Sequence, residues 1–266
     1  VSVWRVPPRL EGHPELLDKP DADPVAFARS LADLRVINRL LGFTGGVVRD
    51  VWPLVVEASV GLRRPVVVLD AGAGSGDIAL ALARRAERRG VPLVVLALDN
   101  HPAVLAAAAR YLAGAPPALR RAVRLIRGDA LRLPLANGPV DVALASLLVH
   151  HMEGASATRL LEELRRVARV GVVVSDLVRH PLALLGIRVL TRLGPFHPMT
   201  RHDGPLSVRR AFTPDELSRL AAASGLGAGG RLVRHPFWRM AWIWRRPVTK
   251  RGTRACPISA PRGPHA

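Results

Sequence analysis

Short apolar runs recur along the middle of this chain, and each one ends on a polar residue. Val66 to Leu69 leads into Asp70, Leu93 to Leu98 into Asp99-Asn100, and Val123 to Ile126 into Gly128-Asp129-Ala130. Val140 to Ala145 leads into Ser146-Leu147, and Val170 to Ser175 into Asp176. Continuous apolar runs of this length suit strands covered on both faces. Helical patterns separate them, so the series predicts βαβ units with the polar strand ends on one edge of a parallel sheet.

The flanks read differently. Phe27, Leu31, Leu34, Ile37 and Leu41 fall at three- and four-residue spacing and predict a helix over 25–42. Residues 47–60 suggest a second helix perturbed by Pro53. Leu177 to Leu193 is amphipathic and is expected to be a helix broken near Pro181, followed by a long loop from Gly194 to Phe212. Thr213-Pro-Asp-Glu216 has the pattern of a capping box, and Gly225 and Gly227 stop the helix it starts. Two strands close the chain, near 230–235 and 237–244. In the second, Trp238, Met240, Trp242 and Trp244 alternate with Arg239, Ala241 and Ile243, and the period of two places the tryptophans in the core.

The first strand carries the chemistry. After Asp70 come Ala71, Gly72, Gly74 and Gly76, and a helix begins near Asp77. Glycines at a strand–turn–helix junction let backbone approach a ligand at the carboxyl edge of a sheet. A dinucleotide fingerprint needs its third glycine one place later, where this chain has Asp77, an acid that would repel a pyrophosphate. A phosphate-binding loop would need a Lys that is missing. Asp99, at the tip of the second strand, sits where one carboxylate can hold a ribose diol, with Asn100 beside it. Asp141 and Asp176 suit a helix N-cap equally well.

The run Asp70-x-Gly-x-Gly-x-Gly76 closely resembles motif I of the class I S-adenosylmethionine (SAM) methyltransferases. That resemblance implies a Rossmann-like seven-stranded α/β fold, its parallel sheet closed by one antiparallel strand in a C-terminal hairpin. It implies SAM as cofactor and S-adenosylhomocysteine as product. The cofactor would be held by Asp70, Ala71, Gly72, Gly74, Asp99, Asn100, Asp129, Ala130, Ser146 and Leu147, with Asp129 accepting from the adenine amine. Ile37-Asn-Arg-Leu-Leu41, Ser175-Asp-Leu-Val-Arg-His-Pro181 and Arg201-His-Asp-Gly-Pro-Leu-Ser-Val-Arg-Arg210 resemble bacterial small-molecule methyltransferases encoded near polyketide synthases. This implies O-methylation of a phenol, a quinol or a lipid-tailed aromatic. The expected acceptor contacts are Asn38, Arg39, His180, His197, Arg201 and His202. Leu41-Gly-Phe-Thr-Gly-Gly46 is longer than the family's Leu-Gly-Gly.

Domain limits follow: an irregular arm over 1–24, a methyltransferase domain over 25–246 with a helical cap at 25–60 and a substrate lid at 177–212, and a disordered basic tail over 247–266. A single Cys, at position 256, rules out a disulfide framework. No apolar stretch is long enough to span a membrane, and no secretory signal is visible, so a cytoplasmic location is expected. The net charge of +18 invites a nucleic-acid reading. Arg supplies 37 of the 39 basic residues, spread over helix faces, residues 179–210 and the tail. Solvated helix faces account for much of that spread. No nucleic-acid partner is expected, and peripheral contact with an anionic membrane remains open.

Methyl transfer from a sulfonium needs mainly alignment, plus a base for a phenol. His150 and His151 follow the fourth strand and are the candidate catalytic pair, with pocket shaping as the alternative role. His180, His197 and His202 are rival bases. Histidine spacing gives no metal site. Four readings compete with O-methylation. They are C-methylation of a quinone-like ring, nucleic-acid methylation, a non-catalytic binding module and aminopropyl transfer. The Asn/Asp-Pro-Pro-aromatic signature of base methylation is missing at Ala145-Ser146-Leu147-Leu148.

Overall fold

A computed structural model describes residues 6–18 and 23–247. It is built on a seven-stranded sheet: β1 Val66–Ala71, β2 Leu93–Asp99, β3 Val123–Arg127, β4 Val140–Ser146, β5 Ala168–Leu177, β6 Gly230–His235 and β7 Arg239–Arg245. The strand order is β3-β2-β1-β4-β5-β7-β6, and only β7 runs antiparallel to its neighbours. All five apolar runs are strands, and the sheet is the Rossmann-like arrangement expected. The order reverses between β1 and β4, where parallel sheets open a crevice for ligands.

Nine helices among the described residues pack around it. They are α1 Pro24–Leu40, α2 Phe43–Ser59, α3 Asp77–Arg88, α4 Pro102–Ala113, α5 Pro117–Arg121, α6 Ala155–Val167, α7 Pro181–Leu193, α8 Pro198–Arg210 and α9 Pro214–Ala223. The strands alternate in the side chains they send to each face. In β1, Val66 and Val68 join the core beneath α2 and α3, while Leu69 and Ala71 join the one beneath α6 and α9. Fully burying a Val or Leu side chain such as Val68 or Leu69 is worth about 1.5–3 kcal/mol. Asp141 is an ion-pair centre rather than a helix cap: fully buried, it takes Arg64, Arg169 and the Val67 amide. Those bonds hold its pKa below the usual value against the opposing effect of burial.

Three elements depart from the sequence expectation. Residues 194–212 are not a loop, because 198–210 form α8. Pro198 sits in its first turn and the Pro205 ring is carried inside it. Gly204 acts as a contact: a Cβ there would meet Ile187 at 3.0 Å, so its absence lets α8 lie against α7. The helix before it is not broken at Pro181 but starts there, because β5 continues to Leu177. α2 begins at Phe43, earlier than expected, as burial of Phe43 and Val47 overrides the low helix propensity of Gly45-Gly46.

Residues 6–15 form no helix or strand and Leu16–Asp18 make a short 3-10 turn, yet the segment is not idle. Arg9 donates to the carbonyls of Arg210 and Met152, and Asp203 accepts the amides of Leu16 and Leu17. Arg210 reaches the carbonyls of His13 and His151. Buried Arg179 ties Pro7, Ala211 and Glu216 together. The arm is thereby strapped across the carboxyl edge of the sheet. The tail beyond 247, with Cys256, lies outside the described residues.

Candidate active site

A cavity of about 1150 Å³ opens at the carboxyl ends of β1, β2 and β4 and extends beneath α1, α7, α8 and the arm. Pockets for one drug-sized ligand run from about 300 to 1000 Å³, so this space suits two molecules side by side. One end is built by the glycine turn. Gly72, Gly74, Asp99, Asn100, Asp129, Ala130 and Leu147 all line it. Gly72 has φ +69°, and a Cβ there would approach Leu148 to 2.8 Å; a Cβ on Gly74 would meet nothing within 4 Å. Backbone is therefore bare toward the cavity where a ligand must come close. Asp99 accepts from the amides of Gly74 and His101, yet burial still raises its pKa.

Ala71, Ser146 and Asp70 lie just behind this surface, all buried. Neither oxygen of Asp70 has a hydrogen-bond partner among the described residues. Burial, with the charges of Asp77 and Asp99, pushes its pKa up to about 8. An opposite charge lies across the sheet edge. Arg239, at the start of β7, faces the cavity with Nε and Nη1 unpartnered among the described residues. Its guanidinium stacks on Phe43, 4.1 Å from the ring centre. Burial lowers its pKa to about 10 despite nearby Asp176. A buried acid and a buried base without partners fit a ligand that carries both charges, and the amino-acid end of SAM is one. Leu147 adds strain at this edge, with φ +51° in a non-glycine residue.

The other polar end gathers around His150 and His151, in the short 3-10 turn Val149–His151 after β4. His150 is buried, and its Nδ1 lies 2.7 Å from Asp176 while its amide donates to the same carboxylate. Its Nε2 faces Glu15 of the arm at 3.6 Å. Burial works against a charged ring here, but Asp176 and Glu15 outweigh it and push the pKa up to about 10. His151 turns Nδ1 to Asp18 at 3.1 Å and Nε2 to Glu15 at 4.0 Å. Ser207 of α8 donates to Glu15 at 2.7 Å. Both arm acids are held below their usual pKa against burial: Glu15 by the two imidazoles, Asp18 chiefly by His151.

Of the expected acceptor contacts, Asn38 lines the cavity. Arg39 and Arg201 are exposed and point elsewhere. His180 and His197 lie outside the lining because each caps a helix, Nδ1 accepting the amide two residues on. His202 is exposed and pairs with Asp203. Trp238 is not core. It sits with Phe237 at the tip of the β6–β7 hairpin, both at positive φ, stacked on His180 and bordering the cavity. Trp242 and Trp244 are buried as expected. Glu15, Asp18, Ser207 and Arg239 were not singled out from the sequence. Only Glu15's place in an otherwise apolar Pro-Glu-Leu-Leu stretch hinted at burial.

Between the two polar ends the walls are apolar: Phe27, Leu31, Leu34 and Ile37 of α1, and Ile187 and Leu190 of α7.

Comparison with known proteins accords with this geometry. A sequence model described as a methyltransferase domain matches residues 68–171. An uncharacterized methyltransferase of a Mycobacterium species (strain JLS) is 31% identical over 242 residues, covering 84% of this chain and 81% of its own. A demethylmenaquinone methyltransferase of Thermobifida fusca is 33% identical over 58% of this chain and 60% of its own length. Among solved structures, a SAM-dependent methyltransferase from Aquifex aeolicus superposes with a TM-score of 0.56 at 19% identity, over 84% of this chain and 98% of its own.

Proposed function

Given that this chain belongs to the class I SAM-dependent methyltransferases, we propose that it methylates an oxygen of a phenolic, quinol or polyketide-derived small molecule with an apolar body. The observation that carries this reading is the cavity itself. It has a glycine-turn end suited to SAM, a polar patch of Glu15, His150 and His151, and apolar walls between them.

SAM supplies the methyl group as a sulfonium-bound carbon. Asp99 would hold the ribose, Asp129 would lie by the adenine, and Asp70 and Arg239 would complement the ammonium and carboxylate. The acceptor's hydroxyl would lie against Glu15 and His151, which remove its proton as oxygen attacks the methyl carbon and the S–C pair returns to sulfur. Cavity walls from α1, α7 and α8 would set which ring and tail fit, which makes 177–212 the acceptor-selecting lid.

A second reading is C-methylation of a quinone-like ring. The demethylmenaquinone relative favours it, and an activated ring carbon would occupy the same place as a phenolate oxygen. Incubation with methyl-labelled SAM and a panel of phenols, quinols and alkylresorcinols separates these. A methyl ether by NMR supports the first reading and a ring methyl the second. Transfer to RNA with none to any aromatic would overturn both. The alternative of a non-catalytic module is met by the same assay.

A further inference from the structure

We propose that Glu15, His150 and His151 form a two-histidine, one-carboxylate site for a borderline divalent cation, Zn²⁺ by its donor set, at the acceptor end of the cavity. This deepens the proposed function, because the cation would bind the acceptor oxygen of that reading.

The three groups offer ligand atoms that lie within 4.8 Å of one another. His150 Nε2 and His151 Nε2 stand 3.6 and 4.0 Å from the two oxygens of Glu15. Ligands of a tetrahedral zinc with bonds of roughly 2.1 Å lie about 3.4 Å apart, so the three groups would draw together on binding the ion, the carboxylate turning one oxygen towards both rings. Two nitrogens and one carboxylate leave a fourth position open, which is the arrangement of catalytic rather than structural zinc.

The surroundings make the stronger argument. A metal-bound imidazole normally gives its other nitrogen to a carboxylate, which fixes tautomer and ring orientation. Both rings do this: His150 Nδ1 to Asp176 at 2.7 Å, His151 Nδ1 to Asp18 at 3.1 Å. The carboxylate ligand is itself oriented, by the Ser207 hydroxyl at 2.7 Å. Three carboxylates therefore surround two imidazoles. The site is buried against the protein and faces the cavity on its open side. Spacing along the sequence hides it, because Glu15 lies far from the histidine pair on a segment without regular structure.

With the cation bound, Glu15 and His151 would serve as its ligands instead of taking the proton themselves, and a phenol entering the fourth position would lose its proton to water and bind as phenolate. Its oxygen then attacks the methyl carbon, the C–S bond breaks with its pair on sulfur, and the neutral ether leaves the cation.

The test uses the full chain stripped with a chelator and titrated with Co²⁺, then with Zn²⁺ in competition. One Co²⁺ per chain, with the visible d–d band of a four- or five-coordinate ion that Zn²⁺ abolishes, is expected. Glu15→Gln and His151→Ala should reduce binding to background, and Asp18→Asn should weaken it about 10- to 100-fold. His235→Ala, whose ring pairs with Asp50 outside the cavity, should leave binding unchanged. SAM binding by each variant reports that it is folded. No stoichiometric ion, or one indifferent to Glu15→Gln and His151→Ala, overturns the site. If the stripped protein methylates phenols at full rate, the cation has no part in transfer while the proposed function stands. If the ion binds but no aromatic is methylated, the proposed acceptor class falls instead.

Discussion

Asp70 is fully buried with no partner among the described residues, and a proton is what makes that tolerable. Its folded pKa of about 8 stands above the 3.8 of a solvated aspartate. Below 3.8 it is protonated whether the chain is folded or not. Between 3.8 and about 8 only the folded form keeps the proton, so stability falls as pH rises through that window, by on the order of a few kcal/mol. Denaturant titrations at pH 5 and pH 8 should show that loss, and Asp70→Asn should flatten it. Equal slopes would refute the assignment. If Asp70 complements the ammonium of SAM as proposed, binding should release a proton near pH 7 and tighten towards pH 8. Calorimetry in buffers of different ionisation enthalpy reads the proton directly. Arg239 is the opposite case. Arg239→Met removes a buried charge without a partner and should leave stability unchanged or raised. SAM affinity should fall roughly 10- to 100-fold if a charge-assisted bond to its carboxylate is lost. Equal losses in both would make Arg239 structural. At this scale the sequence is uneven. The glycine turn and the strand-tip acids could be read because each depends on neighbours within a few residues. Glu15, Asp18 and Arg239 could not, because their roles exist only once distant segments meet.

Three helices begin in the same way, with a histidine immediately before a proline. His101-Pro102, His180-Pro181 and His197-Pro198 each place proline in the first turn, and each Nδ1 accepts the amide two residues ahead. Proline needs no amide partner there, and the imidazole satisfies one that does. This removes His180 and His197 from the roster of bases, since an accepting Nδ1 leaves the proton on Nε2. His197→Ala should cost about 1 kcal/mol by thermal or chemical denaturation, with His197→Asn restoring most of it. A loss of turnover without loss of stability would return His197 to the chemistry. The same motif explains why 194–212 misleads: its glycines and prolines spell a loop locally. Each has another use, Pro198 as a helix start and Gly204 as a close contact with α7. Strand patterns were legible because burial on both faces leaves an unbroken apolar run. Helix α8 was not, because what holds it is α7 and the arm.

At the scale of the molecule, the sheet edge divides into a half built by β1, β2 and their turns and a half built by the arm, α1, α7 and α8. No helix among the described residues is long and apolar enough to cross a membrane. The second half, the proposed acceptor side, depends on fasteners at a distance, above all Arg210, which joins the carbonyls of His13 and His151. Arg210→Met should loosen the arm, so that limited proteolysis cuts within 6–18 faster than in wild type. Acceptor turnover should drop as SAM affinity stays within about threefold. An arm that remains as resistant to protease would show that Arg210 does not hold it.

The strap over the sheet edge also bears on synthesis. Glu15 meets Ser207 across 192 residues of sequence, and Arg179 meets Pro7 across 172. Contacts so far apart form late and slowly. On the ribosome residues 6–18 emerge before α8 and β7, and have nothing to close on until those elements have followed. A chain interrupted before α8 would therefore carry the glycine turn and yet lack the strap that closes the other half of the cavity.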